Sequence, residues 1–309
     1  MRILVLGAGA VGGYFGGRLV QGGADVTFLV RPARAAVLAE NGLRVESPVG
    51  SFTTPVATVT ADQLREPFDL VLLSCKGYDL EDSIAAVKPA VGRDSGVLPL
   101  LNGFAHIARL GEVFGASRVL GGVAQIASTL RPDGVVHHLA PFAAIRFGRI
   151  ADAPDPWSQP LHDAFVRACV DAVLSPSITQ DLWDKLVFLA TLAGMNCLMR
   201  ASVGTIMATR DGAMLMQELL DECSAIASAE GFPPSEAAMA SYRGLLTENG
   251  SPRTASMLRD VERGGPTEGD HILGDLVRRA EAHGIAAPIL HVAYTHLQAY
   301  EIARAAATS

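Results

Sequence analysis

The chain has 309 residues, 49% of them hydrophobic and 18% charged, which excludes a disordered polymer and a small scaffold that needs disulfide or metal staples. A formal net charge of −7, with at most two adjacent Lys or Arg anywhere, excludes the basic footprint of a nucleic-acid binder. Cys75, Cys169, Cys197 and Cys223 show no metal-ligand spacing, so no metal is expected, and a reduced cytoplasm suits them.

Mean hydropathy is +0.28. Yet the uncharged apolar stretch of residues 186–199 has 14 residues, against roughly 20 for a bilayer span. No membrane partner is expected. The first residues run directly into an apolar strand pattern, so no signal peptide is expected either.

In chain order, short apolar runs bounded by turn residues predict strands at 2–6, 25–30, 70–74, 97–101 and 119–125, separated by room for crossover helices. The turn Arg131-Pro132-Asp133-Gly134 precedes two β-like runs, 135–139 and 143–147, read as an antiparallel pair at the sheet edge. A helix is expected over 157–173, then a hinge at Ser175-Pro176-Ser177. Beyond it the period is helical throughout, broken at Gly231-Phe232-Pro233-Pro234 and Gly264-Gly265-Pro266. The expectation is an α/β chain: a Rossmann-type parallel sheet in residues 1–175 that binds the cofactor, and an all-helical substrate and catalytic domain in residues 176–309.

Gly7-Ala8-Gly9-Ala10-Val11-Gly12 follows the first strand and opens a helix expected over 11–20. This is the dinucleotide fingerprint: Gly7 for the tight turn, Gly9 for approach of a pyrophosphate, Gly12 for close packing of helix on strand. Where an NAD site commonly carries an acid after the second strand, this chain has Arg31, and a guanidinium suits a 2′-phosphate, so NADP(H) is expected. Arg34 reads better as a surface charge. Lys76 and Asn102 each read alone as loop residues, but together they occupy the carboxyl ends of neighbouring strands, where ligands collect.

In the helical half, Lys185 follows Trp183 at the mouth of a very apolar helix. It is either a snorkelling helix-end lysine or a desolvated proton donor. Ser256 and Glu268 flank the glycine breaker on two helices, with Thr267 as a cap and Glu268 suited to a helix dipole.

Gly7 to Gly12, Arg31, Lys76, Leu101-Asn102-Gly103, Trp183-Asp184-Lys185, and Ser256 to Asp260 followed by Thr267-Glu268 resemble, in order and over nearly the whole chain, the ketopantoate reductase (2-dehydropantoate 2-reductase) family. The resemblance implies an NADPH-dependent reductase of a small 2-oxo acid, with ketopantoate as substrate and pantothenate biosynthesis as context. It implies Lys185 as proton donor and substrate contact, Asn102 against nicotinamide and substrate, and Ser256 on substrate. It also implies Glu268 and Ala127 at the cofactor, with Ala127 at the nicotinamide end.

The chain departs from the family at Leu189, Ala193 and Val203, where asparagines are usual. A site stripped of three amides selects differently among analogues, so a reductase or dehydrogenase of a more apolar 2-oxo acid is the first alternative. A non-catalytic NADP(H) sensor is the second, and retention of both Lys185 and Glu268 argues against it. Monomer and homodimer are both compatible with the composition.

Overall fold

The computed structural model describes residues 1–308. The first strand, β1 (Arg2–Leu6), is an uninterrupted apolar run with Ile3, Leu4 and Val5 at most 1% exposed. Such a strand needs cover on both faces, the usual state of a parallel sheet. It pairs in parallel with β2 (Asp25–Leu29) on one side and with β6 (Phe68–Leu73) on the other. The sheet is completed by β5 (Ala57–Val59) beside β2 and β7 (Val91–Pro99) beside β6, giving the order β5-β2-β1-β6-β7. Between β1 and β2 runs the helix Ala10–Gln21, whose glycines are poor helix formers. Packing sets them: a Cβ at Gly16 would lie 2.7 Å from the Phe28 ring.

A second sheet has the order β10-β9-β3-β4, with β8 also paired to β9. Its strands are β3 (Leu43–Glu46), β4 (Phe52–Thr54), β8 (Leu120–Leu130), β9 (Val136–Arg149) and β10 (Asp171–Leu174). Two expectations are corrected here. The runs 135–139 and 143–147 do not pair with each other; both belong to β9, which lies antiparallel to the long β8. The register jumps from Ile126↔Ala143 to Ser128↔His138, so residues 139–142 form an excursion opposite Ala127. The excursion includes Pro141, which has no N–H to give, and it is closed by the His138 ring donating to the Phe142 carbonyl at 2.8 Å.

The helix expected over 157–173 is the second correction. It spans Ser158–Arg167 and ends where Cys169 takes a left-handed φ of 53°, after which β10 joins β9 in parallel.

The chain divides into two compact units. The first comprises Met1–Leu101 and His106–Asp181, and holds both sheets. The second comprises Asn102–Ala105 together with the chain from Leu182 onward. An expected division at 175/176 differs from this by the six residues 176–181 and by the Asn102–Ala105 turn. The second unit is helical throughout, its core built from Leu186, Ala190, Met195, Leu219, Leu273 and Leu290.

The helix Ile178–Met199 has 22 residues, enough by length and composition to cross a membrane, but 67% of its apolar window is buried inside the protein. It is therefore packed as a core helix. Near its end the fully buried Asn196 holds two backbone groups: Nδ2 donates to the Ala201 carbonyl and Oδ1 accepts from the Ala255 N–H, both at 2.8 Å. The strap of residues 251–255 is tied further by the Val203 and Gly204 N–H groups, which donate to the Arg253 and Ser251 carbonyls. Buried polar groups stripped of a partner cost about 1–3 kcal/mol, so Asn196→Ala should lower unfolding stability by about that much in urea. A loss below about 0.5 kcal/mol would show that the strap does not depend on it.

Candidate active site

At the end of β1 the chain turns on Gly7, whose φ of 87° favours glycine, and the Gly7 N–H donates to the Leu29 carbonyl at 2.9 Å. The helix Ala10–Gln21 then starts from Gly9 with no side-chain cap. A Cβ at Gly9 would meet nothing within 4 Å, whereas one at Gly12 would lie 2.1 Å from Ser74 Oγ and 2.4 Å from the Gly7 carbonyl. Open space in front of an uncapped helix N-terminus, and forced contact behind it, are what a pyrophosphate requires. Ser74 completes the rear wall by donating to the Leu6 carbonyl at 2.7 Å.

Arg31 is exposed and opens the helix Pro32–Asn41, two residues beyond β2. Arg34 has a different task from the surface charge expected of it. Its Nη2 donates to the Ala8 carbonyl and its Nη1 to the Gly134 carbonyl, each at 2.9 Å, so it braces the glycine loop. Lys76 is half-buried three residues beyond β6, where its carbonyl accepts from the Asp79 N–H at 2.9 Å. Ala127 sits at the register break of β8, and beside it Ser128 Oγ is buried without a hydrogen-bond partner. An uncapped helix end, a free-standing guanidinium and an orphaned hydroxyl fit a phosphorylated nicotinamide dinucleotide.

The second unit gathers the remaining candidates. Asn102-Gly103-Phe104 is a turn in which Gly103 has φ 86°. Phe104 stacks on Trp183 with centroids 5.2 Å apart, and Phe232 also stacks on Trp183, with centroids 6.3 Å apart and the rings 10° from parallel. Arg279 lies over both Phe104 and Trp183 while pairing with Glu230 and Asp275. Trp183 is fully buried, and two residues on is Lys185.

Loss of hydration pushes the Lys185 ammonium down to about 8, while the charge of Glu268 pulls it back up. Glu268 itself is 4% exposed. It precedes the π-turn Asp270–Gly274, which carries His271, and Thr267 Oγ1 accepts from the Gly269 N–H as a cap. The His271 ring donates to the main-chain carbonyl of Asn102, and burial lowers its pKa. Lys185, Glu268, His271 and Asn102 are thus one linked cluster.

Ser256 is half-buried and begins the helix Ser256–Glu262, directly after the strap held by Asn196. Arg253, three residues earlier, has a buried Nε without a hydrogen-bond partner. Of the three positions lacking the usual asparagine, Ala193 and Val203 are fully buried and Leu189 is half-buried. Sequence reasoning missed Arg253 and His271, although each lies three residues from a predicted site residue, Ser256 and Glu268 respectively.

A lysine that gives up a proton works only while protonated. With Lys185 as the proton donor that the resemblance implies, the rate of carbonyl reduction would hold steady at low pH and fall as pH rises through about 8. A kcat/KM profile with one basic limb near that value is the expected result, and a profile flat to pH ~10 would contradict it.

Comparison with known proteins gives the family of the chain. The model of the family Ketopantoate reductase PanE/ApbA matches residues 3–152, and that of Ketopantoate reductase PanE/ApbA C terminal matches residues 177–301. The uncharacterized oxidoreductase YkpB of Bacillus subtilis is 36% identical over 301 residues, covering 97% of this chain and 99% of that protein. The crystal structure of 2-dehydropantoate 2-reductase from Geobacter metallireducens superposes with a TM-score of 0.88 at 30% identity, covering 96% of this chain and 99% of that one. A PanE/ApbA family ketopantoate reductase from Ralstonia eutropha superposes with a TM-score of 0.89 at 26% identity, covering 98% and 99%. The chain belongs to the PanE/ApbA ketopantoate reductase family and is an NADP-dependent oxidoreductase acting on CH–OH groups.

Proposed function

We propose that the protein reduces 2-dehydropantoate (ketopantoate) to pantoate, a step toward pantothenate in the cytoplasm, with Lys185 as the proton donor. The observation that carries this reading is the lysine itself: an ammonium lowered to about 8 by burial and faced by a buried carboxylate. Bound NADPH supplies the hydride that adds to the carbonyl carbon. The work of the chain is to hold the substrate and manage charge on the oxygen. The Lys185 ammonium hydrogen-bonds the carbonyl oxygen, stabilises the negative charge that develops there and transfers its proton to it. Lys185 is left neutral and is reprotonated from solvent. Glu268 opposes premature loss of that proton by favouring the charged amine.

In the same reading Gly7, Ala8, Gly9, Ala10, Val11 and Gly12 cradle the pyrophosphate, and Arg31 takes the 2′-phosphate. Lys76, Ala127 and Asn102 serve the nicotinamide half. Residues 1–175 would hold the cofactor, apart from Asn102, which folds with the helical unit. Asn102 and Ser256 are donors for the substrate. Arg253 adds a guanidinium three residues before Ser256 for the substrate carboxylate, a pairing that arginine makes with two parallel bonds.

A second reading keeps the chemistry and changes the substrate. Leu189, Ala193 and Val203 replace amides with hydrocarbon, which favours a 2-oxo acid with an apolar side chain over one with a hydroxyl; Ala193 and Val203 are sealed in the core, so half-buried Leu189 carries that preference. Loss of NADPH absorbance with ketopantoate, pyruvate, 2-oxoisovalerate and larger branched 2-oxo acids separates the two. Preference for ketopantoate is expected; preference for an apolar acid supports the second reading, and no turnover of any acid contradicts both. Lys185→Ala should still bind NADPH and lose about 10²–10⁴ in kcat.

A further inference from the structure

Gly103 and His271 are nearly 170 residues apart in sequence, roughly, and touch. A Cβ on Gly103 would stand 3.0 Å from His271 Cδ2, 3.2 Å from the His271 carbonyl and 3.3 Å from Nε2. With φ at 86°, the turn accepts only glycine there without strain, and this lets the imidazole edge reach the backbone of Asn102.

We propose that His271 is a positioning residue that sets the Asn102 side chain for reduction by donating to the Asn102 main-chain carbonyl. The inference rests on the reading of Asn102 and Lys185 as parts of the reactive site.

Two facts direct the imidazole to this task. First, the other carboxylates whose charge acts on it are engaged elsewhere. Asp270 accepts from Tyr294 Oη at 2.5 Å and from Arg278 Nη1 at 3.0 Å, and Asp275 accepts from Arg279 Nε at 2.9 Å. Glu268, the third, also acts on Lys185. Second, His271 rides on a π-turn, a backbone irregularity common at functional sites. That turn is fixed at its ends, by the Asp270 carboxylate that Tyr294 and Arg278 hold and by Gly274, where a Cβ would lie 2.7 Å from Asp270 Oδ1. Glu268 and His271 are three residues apart, so the same turn that aims the carboxylate at Lys185 aims the ring at Asn102. Burial keeps the ring neutral at pH 7, and a neutral imidazole still has the one N–H that this bond needs.

Phe104 holds the turn from its other end by stacking on Trp183. Removing His271 should therefore loosen Asn102 without unseating the turn.

The test compares His271→Leu with His271→Gln, whose side-chain N–H can take the place of the ring N–H. With whichever 2-oxo acid the wild type reduces fastest, the leucine variant should lose about tenfold or more in kcat with a smaller change in the KM for NADPH, because small misplacements of a reacting group cost that much. The glutamine variant should recover to within about threefold of wild type. In the cofactor-free protein, hydrogen exchange at the Gly103 and Phe104 amides should quicken about tenfold in the leucine variant and not in the glutamine variant. Equal exchange and equal kcat in wild type and His271→Leu would overturn the proposal, as would a glutamine variant no better than leucine. If the wild type reduces no 2-oxo acid, the functional reading fails, while the exchange measurement still decides whether His271 holds the turn.

Discussion

A cationic side chain on a hydrocarbon helix is the constraint around which the second unit is organised. The helix Ile178–Met199 buries Trp183, Leu186, Val187 and Ala190 almost completely, and Lys185, itself half-buried, stands two residues beyond Trp183 on it. Burial alone would drive such an amine toward neutrality. Glu268 supplies the opposing charge, and burial remains the larger effect, so the amine falls from 10.5 only to about 8. That balance leaves the lysine mostly charged near neutral pH and still able to release a proton. An exposed pair such as Arg210–Asp211 has no comparable leverage, because water screens it.

The backbone around this pair is held by polar groups that do no chemistry. Asn196 lies on the same helix, and its amide is consumed by Ala201 and Ala255, which fixes the strap leading to Ser256. It is a structural amide and does not replace those absent at 189, 193 and 203. Arg200, another residue that could have met a carboxylate, instead takes a left-handed φ of 51° at the helix end with its guanidinium over the Tyr300 ring. The polar groups free to meet a substrate are fewer than the sequence offers.

The glycine loop was legible because much of what it requires is local: a positive φ at Gly7, and at Gly12 a Cβ that the Gly7 carbonyl already forbids before Ser74 adds to it. The second sheet was not. Its strands β3, β4 and β10 have three or four residues each, too short for a period to show, and β10 was absorbed into a helical pattern. The excursion in β9 split one strand into two runs that looked like partners, since nothing in those runs tells that β8 pairs with both.

Lys185 and Glu268 could be named as site residues from the resemblance, but whether Lys185 is desolvated, and by how much, could not be read, because burial is a property of the fold. Arg34 and His271 were hidden for a related reason. Each acts on a backbone carbonyl far away in sequence, Ala8 and Asn102, and a carbonyl carries no sequence signature.

The most direct test is the titration of Lys185 itself, followed by NMR of the lysine side chains in cofactor-free wild type and in Glu268→Gln. The balance described above predicts a midpoint near 8 in the wild type and a lower one in the variant, which loses the charge that raises it. A midpoint at the ordinary lysine value of 10.5, or one unmoved by Glu268→Gln, would contradict it.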